Sequence, residues 1–176
     1  MADRGIAGFP DRRFLTEHIL PAFSAARLLR VVFVGCKPYT KPYGKFFRDA
    51  GTELWTLDYD DTAAPWGEKG RHITEDVRFI DRHFGEATVD AVLLNGVFGW
   101  GLNDVPGMNA AVEAMARITR PGGYLMVGWN MGRIPDPMQL EAMPGRFRQE
   151  GVLGLPARKT FEGSEFNHVY DFLVRL

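Results

Sequence analysis

The chain has 176 residues, 45% of them hydrophobic and 24% charged, the balance of a folded domain with one sizeable core. A formal net charge of −1 excludes a global basic field for nucleic acid. A single cysteine, Cys36, excludes an internal disulfide framework and fits a reducing compartment.

Residues 11–19 read as a short leading helix stopped near Pro21. The run Arg30–Gly35 is a first strand, nearly all apolar, as a strand covered on both faces should be. Thr40 and Pro42 are a helix-start signal. Tyr43, Phe46, Phe47 and Ala50 then share one helix face, and Gly51 ends it. Glu53–Tyr59 is a second strand that ends in Asp58, Asp60 and Asp61. Residues 62–71 read as loop, and Ile73 sits in a short third strand. Val77, Ile80 and Phe84 mark a helix ended by Gly85. Val89–Asn95 is a fourth strand. Asp104 and Pro106 open a helix that turns Met108, Val112 and Met115 inward. Residues 120–123 form a sharp turn into a fifth strand, Tyr124–Trp129. Asp136 and Pro137 start a short helix. Two closing strands follow, near 157–162 and 166–175. In the last, Phe166, His168, Tyr170, Phe172 and Val174 share a face by period two.

Alternating strands and helices predict an α/β fold: a three-layer α/β/α sandwich with a mostly parallel, doubly wound sheet. The two closing strands leave no room for a crossover helix, so the final strand is antiparallel. The whole chain, 1–176, reads as one domain, with 1–29 a helical lead-in and 30–176 the core. The opening residues lack the apolar stretch of a signal peptide, and every apolar run falls well short of the ~20 residues that span a bilayer. The expectation is therefore a cytoplasmic protein with no membrane or nucleic-acid partner.

In such sheets ligands bind beyond the carboxyl ends of the strands, near the point where strand order reverses. The tips Gly35–Tyr39, Asp58–Asp61, Thr74–Asp76 and Asn95–Asn103 are the places to look. Asp58 follows Gly35 by about 20 residues, the offset at which a carboxylate accepts from ribose hydroxyls. A pyrophosphate needs several glycines at the first turn, and Lys37 and Tyr39 stand there instead. That argues against a nicotinamide dinucleotide and leaves S-adenosylmethionine (SAM), a nucleoside without phosphate.

The chain resembles the class I SAM-dependent methyltransferase family over roughly residues 30–176. VVFVGC (31–36) resembles its first motif, LWTLDYD (54–60) its second strand, and TEDV (74–77) its adenine-side segment. VDAVLLNGVFGW (89–100) resembles the fourth-strand motif beside the substrate. ARITRPGGYLMVGW (116–129), with its Pro-Gly-Gly turn, is the most specific match. Phe33 stands where the family's first-strand acid is usual, and only Gly35 remains of its glycine triplet.

The resemblance implies a cofactor site of Gly35, Cys36, Lys37, Asp58, Tyr59, Asp76, Val77 and Asn95. The implied substrate cleft is Tyr39, Phe98, Trp100, Trp129 and Asn130. Each residue has a plainer reading. Asp58 either binds ribose or finishes a strand. Asp76 either accepts from the adenine amine or caps the next helix. Asn95 is placed to meet a ligand amino group. Phe98 and Trp100 either contact a ring or the sulfonium, or pack as an aromatic loop. For Trp129 and Asn130, core or turn packing is the favoured reading. His168 reads as a core histidine. Cys36 has no base beside it to make it a nucleophile, and no histidine has metal-ligand spacing.

The implied function is SAM-dependent methyl transfer to a small molecule. The alternative is a non-catalytic binding or regulatory module that kept the sheet and lost efficient SAM use. With only a short leading helix and no inserted lid, the cleft is expected to be open. An open cleft suggests a large substrate, a partner protein, or an oligomer that supplies the missing wall.

Overall fold

A computed structural model describes residues 3–163 and 167–176. Helix α1 (Asp3–Ile6) is followed by a nearly continuous helical run: α2 (Pro10–Phe14), a π-helical turn (Leu15–Ile19) and α3 (Leu20–Ala25). The run passes through Pro21 rather than stopping there. Proline has no N–H and crowds the carbonyl four residues back, and the wider π turn just before it absorbs the misfit.

The strands are β1 (Arg30–Val34), β2 (Glu53–Asp58), β3 (His72–Thr74), β4 (Val89–Asn95), β5 (Thr119–Asn130), β6 (Phe147–Gln149), β7 (Arg158–Phe161) and β8 (His168–Arg175). Sheet order is β3-β2-β1-β4-β5-β8-β6, with β7 also pairing to β8. Strands β3 to β5 pair in parallel, while β8 is antiparallel to β5, β6 and β7. The order reverses between β1 and β4, which opens a crevice at their carboxyl ends. The sheet is thus the expected mixed one, flanked by helices.

Helix α4 (Gly44–Ala50) connects β1 to β2, and α5 (Val105–Ile118) connects β4 to β5. Period-two alternation splits the strands between two apolar clusters. Val32, Val34, Val92, Leu94, Leu125 and Val127 face α5 and its Met108, Val112 and Met115. Val31, Phe33, Leu93, Met126, Tyr170 and Phe172 face the amino-terminal helices and α4. Phe166, assigned to the second face from its spacing, lies outside the described residues.

Local chemistry explains the boundaries. Gly51 ends α4 with φ at +75°, and Asp104 caps α5 by accepting from the Gly107 N–H at 2.7 Å. Further details differ from the sequence reading. Residues 38–43 are a 3-10 turn, so the α-helix itself starts only at Gly44. Residues 61–66 form another 3-10 turn, capped by Asp60. The Arg120–Gly123 turn is built into β5 as a bulge opposite Asp90. Strand β6 carries no alternation long enough to be seen in the sequence. Ala50 also faces solvent rather than the core.

At the amino-terminal edge of the sheet, buried Asp90 ties three strands together. It accepts from the backbone of Leu29 (2.7 Å) and Arg30 (2.9 Å) and pairs with Arg120. This carboxylate sits at the end of the sheet opposite the crevice and belongs to the scaffold.

Candidate active-site cavity

A cavity of about 470 Å³ occupies the crevice. It is partly covered by the short lead-in. Ile6, Phe9, Asp11 and Arg12 reach over the strand tips and wall it. The leading helices are held there by Leu15, Ile19, Leu20 and Phe23, all fully buried.

The floor begins at Gly35. Its φ is +100°, and a Cβ there would collide with the Asn95 carbonyl oxygen, so glycine is needed whatever binds. The next residue, Cys36, is buried and does not line the cavity. Burial, with Asp58 nearby, pushes its thiol up to about 12, so it is neither a nucleophile nor a side-chain ligand. The loop then closes on itself: the Lys37 N–H donates to Thr40 Oγ1 at 3.0 Å, and the Thr40 hydroxyl donates back to the Lys37 carbonyl at 2.9 Å. The Lys37 side chain is exposed at the rim.

Asp58 is buried, and both of its oxygens are engaged. One accepts from the Cys36 N–H at 2.7 Å, the other from the Asp60 N–H at 2.9 Å. The tip of β2 is thereby tied to the turn after β1. Each carboxylate oxygen has two lone pairs, so capacity for a ligand hydroxyl remains. Tyr59, beside it, is largely exposed along the cavity and packs over Gly101.

Asp76 is a helix cap. It accepts from the Arg78 backbone N–H at 2.9 Å and from the Arg78 guanidinium at 3.0 and 2.7 Å. The hydrogen bond from Arg78 is the main reason its carboxyl lies below the usual range. Of its two readings the geometry gives the cap, although Asp76 and Val77 both line the cavity.

The other end lies over β4, β5 and β8. Asn95 closes β4, 5% exposed, and its Oδ1 has no hydrogen-bond partner among the described residues. Trp100 donates its indole N–H to Asn130 Oδ1 at 2.8 Å. The Arg133 guanidinium lies 3.7 Å from the Trp100 ring centre, so one face of that ring already carries a cation. Tyr39, Trp100 and Asn130 line the cavity; Phe98 and Trp129 do not. Phe98 is fully buried with α5 in the core. Trp129 faces the α5 side and donates to Asp171 at 2.8 Å.

His168 lines the cavity as well, though it was read as core. It is 2% exposed, and its Nε2 lacks a partner. Burial, reinforced by the nearby Arg12 charge, depresses it to about 3, so the ring is neutral. Arg12 is the residue that the sequence reading missed. A signal existed: Arg12, Leu15 and Ile19 follow i, i+3, i+7, which puts the arginine on the buried face of its helix. No group of three or more metal-ligating side chains occurs among the described residues. None of the described helices is long and apolar enough to cross a membrane.

No protein-family model matches the sequence, and no curated protein matches it. Solved structures do. N-methyltransferase NodS from Bradyrhizobium japonicum WM9, in complex with S-adenosyl-L-homocysteine, superposes with a TM-score of 0.71 at 14% identity, covering 96% of this chain and 89% of that one. The chain has the class I methyltransferase fold. A TehB-like SAM-dependent methyltransferase from Corynebacterium glutamicum aligns over 99% of this chain and 98% of its own, with a TM-score of 0.66 and 15% identity. The 1,6-didemethyltoxoflavin-N1-methyltransferase of Burkholderia thailandensis, solved with its substrate and S-adenosylhomocysteine, aligns over 98% and 85% at a TM-score of 0.55 and 14% identity.

Proposed function

We propose that the protein is a SAM-dependent methyltransferase acting on a small molecule. The observation that carries this reading is the cavity at the carboxyl ends of the strands, at the point of strand-order reversal, partly covered by the leading helices. Its 470 Å³ falls within the roughly 300–1,000 Å³ of small-molecule sites. The roof formed by α1 and α2 favours a small acceptor over a long polymer. Neighbouring folds include enzymes crystallised with S-adenosylhomocysteine, which supports the cofactor assignment.

The residues present suit that cofactor. Gly35 leaves the space that a side chain would fill, Asp58 keeps lone pairs for ribose hydroxyls, and exposed Tyr59 offers a ring face beside them. Val77 supplies an apolar wall, and the unpartnered Asn95 Oδ1 is free to accept from an amino group. Lys37 and Tyr39 bound the other side of the loop. When bound, SAM supplies an already activated methyl group. The protein's task is then to position the acceptor and exclude water. Trp100 and Asn130, fixed to each other, form a rigid wall for that purpose.

The missing glycines and Phe33 favour a second reading, a binding module without turnover. Titration calorimetry with S-adenosylhomocysteine and SAM separates the two. Micromolar binding of both is expected; no heat at millimolar ligand would leave only the module.

A further inference from the structure

Two buried polar atoms converge on one point of the cavity. His168, 2% exposed, leaves Nε2 without a hydrogen-bond partner among the described residues. Asn95 leaves its Oδ1 in the same state. Both residues line the cavity. They meet over Gly128, which stands opposite Asn95 in the pairing of β4 with β5. A Cβ on Gly128 would collide with Asn95 Oδ1 and stand 3.1 Å from His168 Nε2, so glycine keeps this corner clear. The Tyr170 ring packs edge-on against the imidazole, with centroids 4.5 Å apart, and holds it in place. Buried polar atoms are nearly always paired, and leaving two unpaired is costly. The pair points to a group that arrives with a ligand.

The chemistry of the corner narrows that group. An amide oxygen can only accept, so the point it shares with His168 takes a hydrogen-bond donor. Burial first, and then the Arg12 charge, keep the His168 ring neutral. The same arginine charge disfavours a cationic donor. A neutral imidazole presents a lone pair or an N–H, according to its tautomer, and so suits a group that is both donor and acceptor. What remains is an uncharged hydroxyl or N–H. Oδ1 has two lone pairs, and a cofactor amino group on one leaves the other for this donor.

We infer that His168 Nε2 and Asn95 Oδ1 form a subsite that recognises an uncharged hydroxyl or N–H group of the methyl acceptor. Calling the ligand the acceptor rests on the function proposed above; the subsite rests on the geometry alone. Its role is specificity: the two side chains select and orient the acceptor and take no proton from it.

The test uses the full chain. Phenol and aniline are the uncharged donors, toluene is the near-isostere without a donor, and benzylammonium and benzoate are the charged controls. Affinities are read by ligand-observed NMR, on the free protein and on its complex with S-adenosylhomocysteine. The ring-nitrogen resonances of His168 are followed in the same titrations. A site built to hydrogen-bond a donor rejects the analogue that lacks it, because its own polar atoms stay unpaired. Phenol and aniline are expected to bind about tenfold more tightly than toluene and both charged controls, and to shift the Nε2 resonance. His168→Leu and Asn95→Leu, each checked by thermal melting, should erase the preference for phenol over toluene. His168→Gln, which keeps a polar group at the corner, should restore part of it. A variant that melts lower but keeps the preference overturns the inference, because its residue would then only support the fold. Two further results overturn it on wild-type protein alone, even where a variant fails to fold. One is phenol that does not bind, or binds no better than toluene or a charged control. The other is an Nε2 resonance that neither donor moves. Failure to bind S-adenosylhomocysteine defeats the cofactor assignment instead, and the free-protein titrations then decide the subsite by the same criteria.

Discussion

Asp58 sits at the end of β2 with both oxygens accepting backbone hydrogen bonds, from Cys36 and Asp60. Its two readings, ribose ligand and strand-end tie, are therefore not exclusive. The tie uses one lone pair of each oxygen, and the spare lone pairs can accept from a hydroxyl. Removing the side chain leaves a buried N–H at Cys36 without its acceptor. Asp58→Ala is expected to lower stability by about 1–3 kcal/mol and to weaken S-adenosylhomocysteine binding about tenfold or more. Urea melts and calorimetry on one preparation check both. A variant that loses stability but binds normally would remove Asp58 from the site. The sequence showed where this acid would lie, because a strand tip and an offset of about 20 residues are local facts. It could not show that Asp58 ties the turn after β1 to the tip of β2, since that depends on how β1 and β2 pair.

At the scale of elements, β8 is where chain order and spatial order diverge most. It pairs with β5 on one side and with both β6 and β7 on the other. Asp171, fully buried on β8, collects these partners. It accepts from Trp129 on β5 at 2.8 Å, from Gln149 on β6 at 2.7 Å and from Arg158 on β7 at 2.6 Å. That network is why Trp129 faces away from the cavity. Trp129→Phe should cost about 1–2 kcal/mol through the lost hydrogen bond and packing, with S-adenosylhomocysteine affinity unchanged. A chemical melt beside a binding isotherm reads this directly; a large affinity loss would return Trp129 to the site. The leading helices carry the contrasting lesson. A leading helix over 11–19 was legible, yet its continuation through Pro21 and its place over the cavity were not. Helical spacing says which face is buried, and says nothing about what that face covers.

For the whole molecule, the buried neutral histidine sets a pH dependence. Near His168 are Arg12 from α2 and Tyr170 from its own strand, with the His168 and Tyr170 rings 4.5 Å apart, and the Asn95 Oδ1 approaches the same face of Gly128 as the His168 Nε2. An unfolded histidine titrates near 6.5, whereas His168 is held at about 3. Between those values the unfolded chain binds one proton more than the folded one, so stability falls as pH drops below the unfolded value. The loss from this one group is about 2 kcal/mol by pH 5. His72, also lowered by burial, adds in the same direction, while the paired carboxylates Asp76 and Asp90 act at lower pH. Chemical denaturation at pH 7 and pH 5 should show this slope in wild type and a flatter one in His168→Gln. Equal slopes in both proteins would mean that the ring accepts its proton in the folded state.

The sequence by itself determined the layers, the parallel core, the antiparallel last strand and the strand tips that border the cavity. Each of these follows from local periodicity, from loop length or from a cap, which a chain carries in a few neighbouring residues. Only the tertiary structure decided that the leading helices border the cavity, that Asp76 caps the turn at Arg78 while lining the cavity, and that Phe98 belongs to the core. Likewise it alone placed Arg12 and His168 in one corner, although 156 residues of chain separate them. Contacts of that kind depend on how two faces meet across a folded sheet, and no local pattern encodes them.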